Sequence, residues 1–205
     1  MPWSKQEIAE IIAEDVEDGW LVNLGIGQPT MIIDYLRHRD VLVHSENGVV
    51  GIGPPPPPER EDMDLVNPGK EFATLVPGGA FIDSIMSFTL MRSGRMDLAV
   101  MGAYQVSFSG DLANWRLPGR RIAGIGGAAD LAVGARRLWV MMSFYARDGQ
   151  PKLVAACSYP LTARSVVDRV YTDVGVFEIT QGEVRQLRSA PGIDEAALES
   201  HLLGT

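Results

Sequence analysis

The chain has 205 residues, of which 46% are hydrophobic and 21% charged, so it is long enough for one large domain with a buried core. Its formal net charge of −8 argues against a basic nucleic-acid-binding face and against a polybasic membrane patch. A single cysteine, Cys157, allows no disulfide within the chain and favours a cytoplasmic location; we expect neither a signal peptide nor a membrane-spanning segment.

Helix and strand patterns alternate along the first quarter of the chain. Ser4 and Glu7 form the capping-box pattern that precedes a helix, and apolar residues follow at helical spacing. Residues 20–27 predict a buried strand that ends in glycines. Residues 29–38 begin with a proline and predict a helix, and residues 41–46 predict the next strand.

The same alternation continues to the end of the sequence. We predict a helix over 81–94, a strand over 97–103, a glycine turn and short helix within 125–137, a strand over 138–144, a strand over 170–180 and a terminal helix over 194–203. Continuously apolar strands that alternate with helices predict one α/β domain over residues 1–205, a three-layer structure whose largely parallel open sheet is covered by helices.

One acidic residue, Glu46, directly follows a predicted buried strand. Ligands of parallel α/β sheets bind beyond the carboxyl ends of the strands, which is where Glu46 lies. Gly48 and Gly51 would let the chain turn tightly and let a bulky ligand approach. From spacing alone, a site carboxylate and a cap on a following helix explain Glu46 equally well.

Other motifs favour structural explanations. The GIGQPT segment has Thr30 where a dinucleotide-binding turn needs its third glycine. The three histidines show no metal-ligand spacing, so we expect no metal site, and His44 within a strand is expected to be structural. Cys157 is expected to be a small core residue. The prolines at 54–58 predict a stiff surface loop, with partner docking as the alternative.

Segments throughout the chain resemble those of the family I CoA-transferases, which move coenzyme A (CoA) between carboxylic acids. In family order they are DGWLVNLGIGQPT (18–30), HSENGVVGIGP (44–54), NPGKEFATLVPGGAFIDS (67–84), GAYQVSFSGDLANW (102–115), GIGGAADLAVGARR (124–137), KLVAACSYPLT (152–162) and DRVYTDVGVFEI (168–179). The resemblance is to the beta subunit of these two-component enzymes, and within it to the 3-oxoadipate branch. It implies the CoA-transferase fold, which is NagB/RpiA-like.

The resemblance assigns roles to residues of two motifs. Glu46, in SENG, would be the nucleophile that carries CoA as a glutamyl thioester; an ionised carboxylate can attack an acyl carbonyl. Gly126, Gly127 and Ala128 match the family's glycine turn near the thioester. The N–H of Gly127 would stabilise the developing oxyanion there, and a plain strand-to-helix turn is the alternative.

The resemblance also implies substrates and a partner. Lys70 matches a family lysine that lies near the substrate carboxylate; the alternative is that Lys70 is an ordinary surface lysine. Asn47 and Gln105 are expected to shape the pocket. The CoA thioester would be a substrate and no cofactor would be bound. The chain would be active only with the family's alpha subunit, in an A2B2 complex, on succinyl-CoA and 3-oxoadipate or, alternatively, acetoacetate or another 3-oxoacid.

Two departures from the family pattern leave other functions open. Ala129 stands where the family usually has methionine, and residues 143–145 lack the family's histidine. The same scaffold could serve an acyl-CoA hydrolase in which Glu46 activates water, which would release free CoA without an acceptor acid. A regulatory protein that kept the fold is the rival outside enzymes, and the intact SENG and GIGGA turns argue against it.

Overall fold

The computed structural model describes residues 1–119 and 124–194, together with residues 196 and 198. Its helices are α1 (Lys5–Asp15), α2 (Ser84–Arg92) and α3 (Ala128–Gly134), with 3-10 helices at Gln28–Tyr35 and Pro58–Arg60. Its strands are β1 (Leu21–Leu24), β2 (Leu42–Ser45), β3 (Val49–Gly53), β4 (Thr74–Phe81), β5 (Leu98–Met101), β6 (Gln105–Ser107), β7 (Leu112–Ala113), β8 (Leu138–Met141), β9 (Leu153–Val154), β10 (Arg169–Tyr171), β11 (Gly175–Thr180) and β12 (Glu183–Ser189).

A nine-stranded sheet organises the molecule, in the order β12-β11-β10-β8-β5-β1-β2-β3-β4. The central strands β10, β8, β5, β1 and β2 run parallel, and antiparallel strands extend the sheet at both edges. A small sheet of β7, β6 and β9 stands apart from it. The predicted largely parallel α/β sheet is therefore confirmed, with antiparallel edges added.

The core lies on both faces of the large sheet. Neighbouring residues of a strand point to opposite faces, so Ala99 packs in one apolar cluster and Leu98 in the other. Helix α1 covers one face with Ile8 and Ile12, and Met91 of α2 lies in the cluster on the other face. The sheet between two helical layers confirms the three-layer arrangement. No helix in the described residues is long and apolar enough to cross a membrane.

Local signals at the first helix are confirmed, and the structure refines or corrects the predictions for other segments. Ser4 and Glu7 form the complete capping box of α1. The helix predicted over 29–38 is present as the 3-10 helix Gln28–Tyr35. Residues 170–180 hold two antiparallel strands, β10 and β11, rather than one. Most of the terminal helix predicted over 194–203 lies outside the described residues.

The turn after β2 decides between the two explanations of Glu46. The chain does not enter a helix there; it turns through Gly48, at φ 110°, into the antiparallel strand β3. A side chain at Gly48 would collide with the carbonyl oxygen of Ile82, so the turn needs glycine. The helix-cap explanation of Glu46 is therefore wrong.

Candidate active site

The carboxyl ends of four parallel strands meet at one cavity of about 580 Å³, a size typical of small-molecule sites. Glu46 comes from the end of β2, and the segments that follow β1, β5 and β8 supply neighbouring parts of the wall. Further parts of the wall come from the turn that precedes α3, from Lys152 before β9, from Asn114 and Trp115 after β7, and from Pro68. This is the sheet edge at which the sequence predicted a ligand site.

The Glu46 carboxyl group lies half-buried on this wall. Burial raises its pKa above the usual value for glutamate, and the negative charge of Asp130 in α3 raises it further. The backbone of the same residue is fixed from α2, because the Ser87 hydroxyl donates a hydrogen bond of 2.9 Å to the Glu46 carbonyl oxygen. A carboxylate in this setting is only partly solvated, which favours attack on an electrophile.

A buried hydrogen-bond chain leads from the sheet to Glu46. The Asn23 amide nitrogen lies 3.1 Å from both the carbonyl oxygen and Nδ1 of His44. Because the carbonyl oxygen can only accept, that nitrogen is a donor, so Nδ1 accepts and Nε2 carries the proton. Nε2 then donates to the Ser87 hydroxyl at 3.0 Å, whose own proton goes to the Glu46 carbonyl oxygen.

His44 is accordingly held neutral, since burial lowers its pKa to about 4. It acts as a structural link, as the sequence predicted, and also positions the turn that carries Glu46. Asn23 and Ser87 were not singled out from the sequence. The only local signal for Ser87 was its place within a predicted helix, and the contact with Glu46 spans 41 residues.

The glycine turn before α3 lies directly against the Glu46 carboxylate. A side chain at Gly127 would collide with Oε2 of Glu46, so the carboxylate fills the space beside this Cα atom. The N–H of Ala128 donates to Ile125 at 3.2 Å, whereas the N–H of Gly127 donates to no atom of the described residues. Gly126, Gly127 and Ala128 all lie on the cavity wall, as does Glu46.

The other predicted site residues lie off this wall. Asn47 is exposed and its amide accepts from the Ser45 hydroxyl and donates to Val66 at 2.7 Å. Lys70 is exposed in a turn at φ 66°. The Gln105 amide oxygen accepts from the N–H of Ser158 at 2.8 Å. The structure does not bring these three side chains to the cavity.

Lys152 is a wall residue that the sequence did not indicate. It precedes the short strand β9 and lines the same cavity as Glu46. Burial lowers its pKa to about 8, against the opposing effect of the Asp173 carboxylate. Lys152 begins the family-like segment 152–162, but that segment does not indicate a place on the cavity wall, because this place depends on how the small sheet packs beside the large one.

Comparison with known proteins identifies the chain's relatives. The coenzyme A transferase family model matches residues 5–193. The chain is 47% identical to the beta subunit of 3-oxoadipate CoA-transferase from Pseudomonas putida, over 93% of this chain and 90% of the relative. It is 41% identical to the corresponding subunit of the probable succinyl-CoA:3-ketoacid coenzyme A transferase of Bacillus subtilis (94% and 90%), and 40% identical to the beta subunit of acetate CoA-transferase from Escherichia coli (96% and 90%).

Solved structures share the fold. The acyl-CoA transferase YdiF of Escherichia coli O157:H7 matches with a TM-score of 0.75 at 17% identity, over 98% of this chain and 40% of that one, so the chain spans less than half of YdiF. Glutaconate coenzyme A-transferase of Acidaminococcus fermentans matches with a TM-score of 0.69 at 16% identity, over 97% and 84%. The chain belongs to the coenzyme A transferase family, in which it is a beta subunit.

Proposed function

We propose that this CoA-transferase chain works with a separate alpha subunit, in an A2B2 complex, to move CoA from succinyl-CoA to 3-oxoadipate through a glutamyl-CoA thioester at Glu46. The single observation behind this proposal is the half-buried Glu46 carboxylate, which lies against Gly127 on a cavity at the carboxyl ends of the parallel strands. The 47% identical relative carries the 3-oxoadipate name, and relatives at 41% and 40% carry 3-ketoacid and acetate names.

The chemistry follows from a carboxylate nucleophile. Glu46 attacks the thioester carbonyl of the acyl-CoA, which forms a mixed anhydride and releases the CoA thiolate. The thiolate attacks the glutamyl carbonyl, which frees the first acid and leaves CoA on Glu46. The acceptor carboxylate then reverses both steps. The acyl-CoA bond energy is retained throughout, because each intermediate is itself an activated acyl group.

The surroundings of Glu46 support these steps. Each attack places negative charge on a carbonyl oxygen, and the N–H of Gly127, which donates to no atom of the described residues, is a donor beside the carboxylate. One such oxyanion donor is typically worth about 3 kcal/mol in the transition state. The hydrogen bond from Ser87 to the Glu46 backbone limits movement of the turn during the exchange.

Replacement of Glu46 by glutamine tests the proposal. In the complex co-purified with the alpha subunit, Glu46→Gln should abolish transfer from succinyl-CoA, because the amide keeps the shape but is not a nucleophile. Glu10→Gln changes an exposed glutamate of α1 and serves as the charge-matched control. Size-exclusion chromatography with light scattering would show that assembly is preserved and whether the complex is A2B2.

Trapping the intermediate provides an independent readout. Incubation with acyl-CoA followed by borohydride should reduce the thioester at Glu46 to an alcohol, which peptide mass spectrometry detects. An unmodified Glu46 peptide under turnover conditions, or transfer at the normal rate by Glu46→Gln, would overturn the assignment. Release of free CoA without an acceptor acid would instead identify a hydrolase.

A further inference from the structure

The cavity wall carries two opposite charges that do not pair. Among the described residues on that wall, Glu46 is the acidic side chain and Lys152 the basic one. No ion pair joins them among the described residues, and the charge that acts on the Glu46 pKa is that of Asp130 rather than that of Lys152. The ammonium group is therefore not paired with the reacting carboxylate.

The main chain of Lys152 is held in place on both sides. Its N–H donates to the Phe144 carbonyl at 2.8 Å, and its own carbonyl accepts from the N–H of Val106 in β6 at 2.9 Å. These bonds fix where the side chain starts, between the segment after β8 and the small sheet. The position is therefore that of a wall residue rather than of a mobile surface lysine.

The ammonium group lacks a direct partner. Among the described residues, no hydrogen bond or ion pair reaches Nζ of Lys152, and the Asp173 carboxylate that acts on it accepts instead from the N–H of Phe144 at 2.7 Å. Asp173 therefore acts on the ammonium without a direct ion pair. A partly buried charge that lacks a direct partner is unfavourable for folding, and such groups concentrate where an ionic ligand binds. Burial leaves the pKa of Lys152 at about 8, so the group is mostly protonated at neutral pH.

A dicarboxylic acid would complete this arrangement. Only one of its carboxylates reacts at Glu46, and the second enters the cavity as a charge that must be paired. The ammonium group of lysine has three N–H donors on a flexible stem, so it can bind a carboxylate that approaches from any of several directions. A monocarboxylic acid would leave the ammonium without a direct partner in the complex.

We propose that Lys152 binds the non-reacting carboxylate of a dicarboxylic acid or of its CoA thioester, and so makes the site selective for dicarboxylates over monocarboxylates. This inference rests on the proposed function of Glu46. It also distinguishes between substrates that the relatives' names leave open, since 3-oxoadipate and succinate are dicarboxylates and acetate is not.

Removal of the charge provides the test, in the complex with the alpha subunit. Lys152→Met should lower kcat/KM for succinyl-CoA with 3-oxoadipate by about 10- to 100-fold, mainly through KM, because a charged hydrogen bond is lost. Transfer between acetyl-CoA and acetoacetate should change by less than about threefold. Lys152→Arg should recover most of the loss, Lys152→Gln should repeat it, and Lys5→Met is the charge-matched control on α1.

The outcomes separate this inference from the proposed function. Equal losses for both substrate pairs, or no loss for the dicarboxylate pair, would overturn the role of Lys152 while transfer itself stands. Calorimetric titration with succinate and butyrate, on the same variants, gives a readout without chemistry: succinate affinity should fall in Lys152→Met and butyrate affinity should not. If the wild-type complex transfers no CoA, the proposed function fails, and this inference fails with it.

Discussion

The contact between Gly127 and Glu46 predicts that one methyl group at position 127 will impair catalysis more than stability. Gly127 has φ −76° and ψ 0°, a conformation that alanine also adopts. The Cβ atom of Gly127→Ala would nevertheless collide with Oε2 of Glu46 and lie 3.0 Å from Cε of Met91. The substitution therefore acts on the carboxylate and leaves the backbone unstrained.

The size of the effect on stability and on rate depends on whether Glu46 or Met91 moves away from the added methyl group. Met91 is fully buried, so Glu46 must rotate toward the open cavity, and an off-rotamer side chain costs about 0.5–1.5 kcal/mol. Glycine-to-alanine replacement offsets about 0.4–1 kcal/mol of this through the unfolded chain, so the free energy of unfolding should change by less than about 1 kcal/mol. A misplacement of about 1 Å at a reacting group lowers the rate by about 10²-fold.

Steady-state kinetics and urea unfolding on the same preparation would measure both quantities. Gly102→Ala is the matched control, because Gly102 lines the same cavity, has no positive φ, and its added Cβ would have no atom within 4 Å. That variant should keep kcat within about threefold of the wild type. A Gly127→Ala complex with equally unchanged kcat would refute the placement of the carboxylate against this glycine.

Two further predictions concern pH. Burial and the Asp130 charge raise the pKa of Glu46, so Asp130→Asn should move the acid limb of the kcat/KM profile to lower pH; overlapping profiles would contradict this. Burial lowers the pKa of His44 from 6.5 to about 4, so its contribution to stability is complete above pH 6.5 and is lost as the pH falls to about 4. That loss is about 3 kcal/mol, and urea unfolding of His44→Gln should show a correspondingly flatter pH dependence.

The parts of the fold that the sequence predicted depend on local signals. These signals each lie within a few neighbouring residues: a capping box for α1, continuous apolar runs for the central parallel strands, and a glycine turn for α3. Strand β12 was missed because Glu183–Ser189 is a largely polar edge strand, whose pairing with β11 is decided by the partner strand. The apolar residues of Gln28–Tyr35 also fit an α-helix, so their spacing does not show that this helix is of the tighter 3-10 type.

The residues of the candidate site also fall into two groups, those that a local sequence pattern indicates and those that it does not. Glu46 and the glycine turn could be found because each directly follows or precedes an element that the sequence shows. Asn23, Ser87 and Lys152 could not, because their roles arise from contacts between segments far apart in the chain. The hydrogen bond between Asn23 and His44 spans 21 residues and joins neighbouring parallel strands, a pairing that depends on strand order rather than on any local pattern.

The partly buried charges of the described residues are of two kinds: some form ion pairs within the chain, and those on the cavity wall do not. Where the end of α1 meets β10 and β11, Arg169 forms ion pairs with both Asp15 and Glu178, so burial of these groups is compensated within the chain. In the cavity, burial and the charge of Asp130 raise the pKa of Glu46, and burial lowers the pKa of Lys152. Folding alone would favour pairing these two charges or exposing them. Their separation on one wall is the arrangement that the proposed dicarboxylate ligand would require, with its reactive acyl group at Glu46 and its second carboxylate at Lys152.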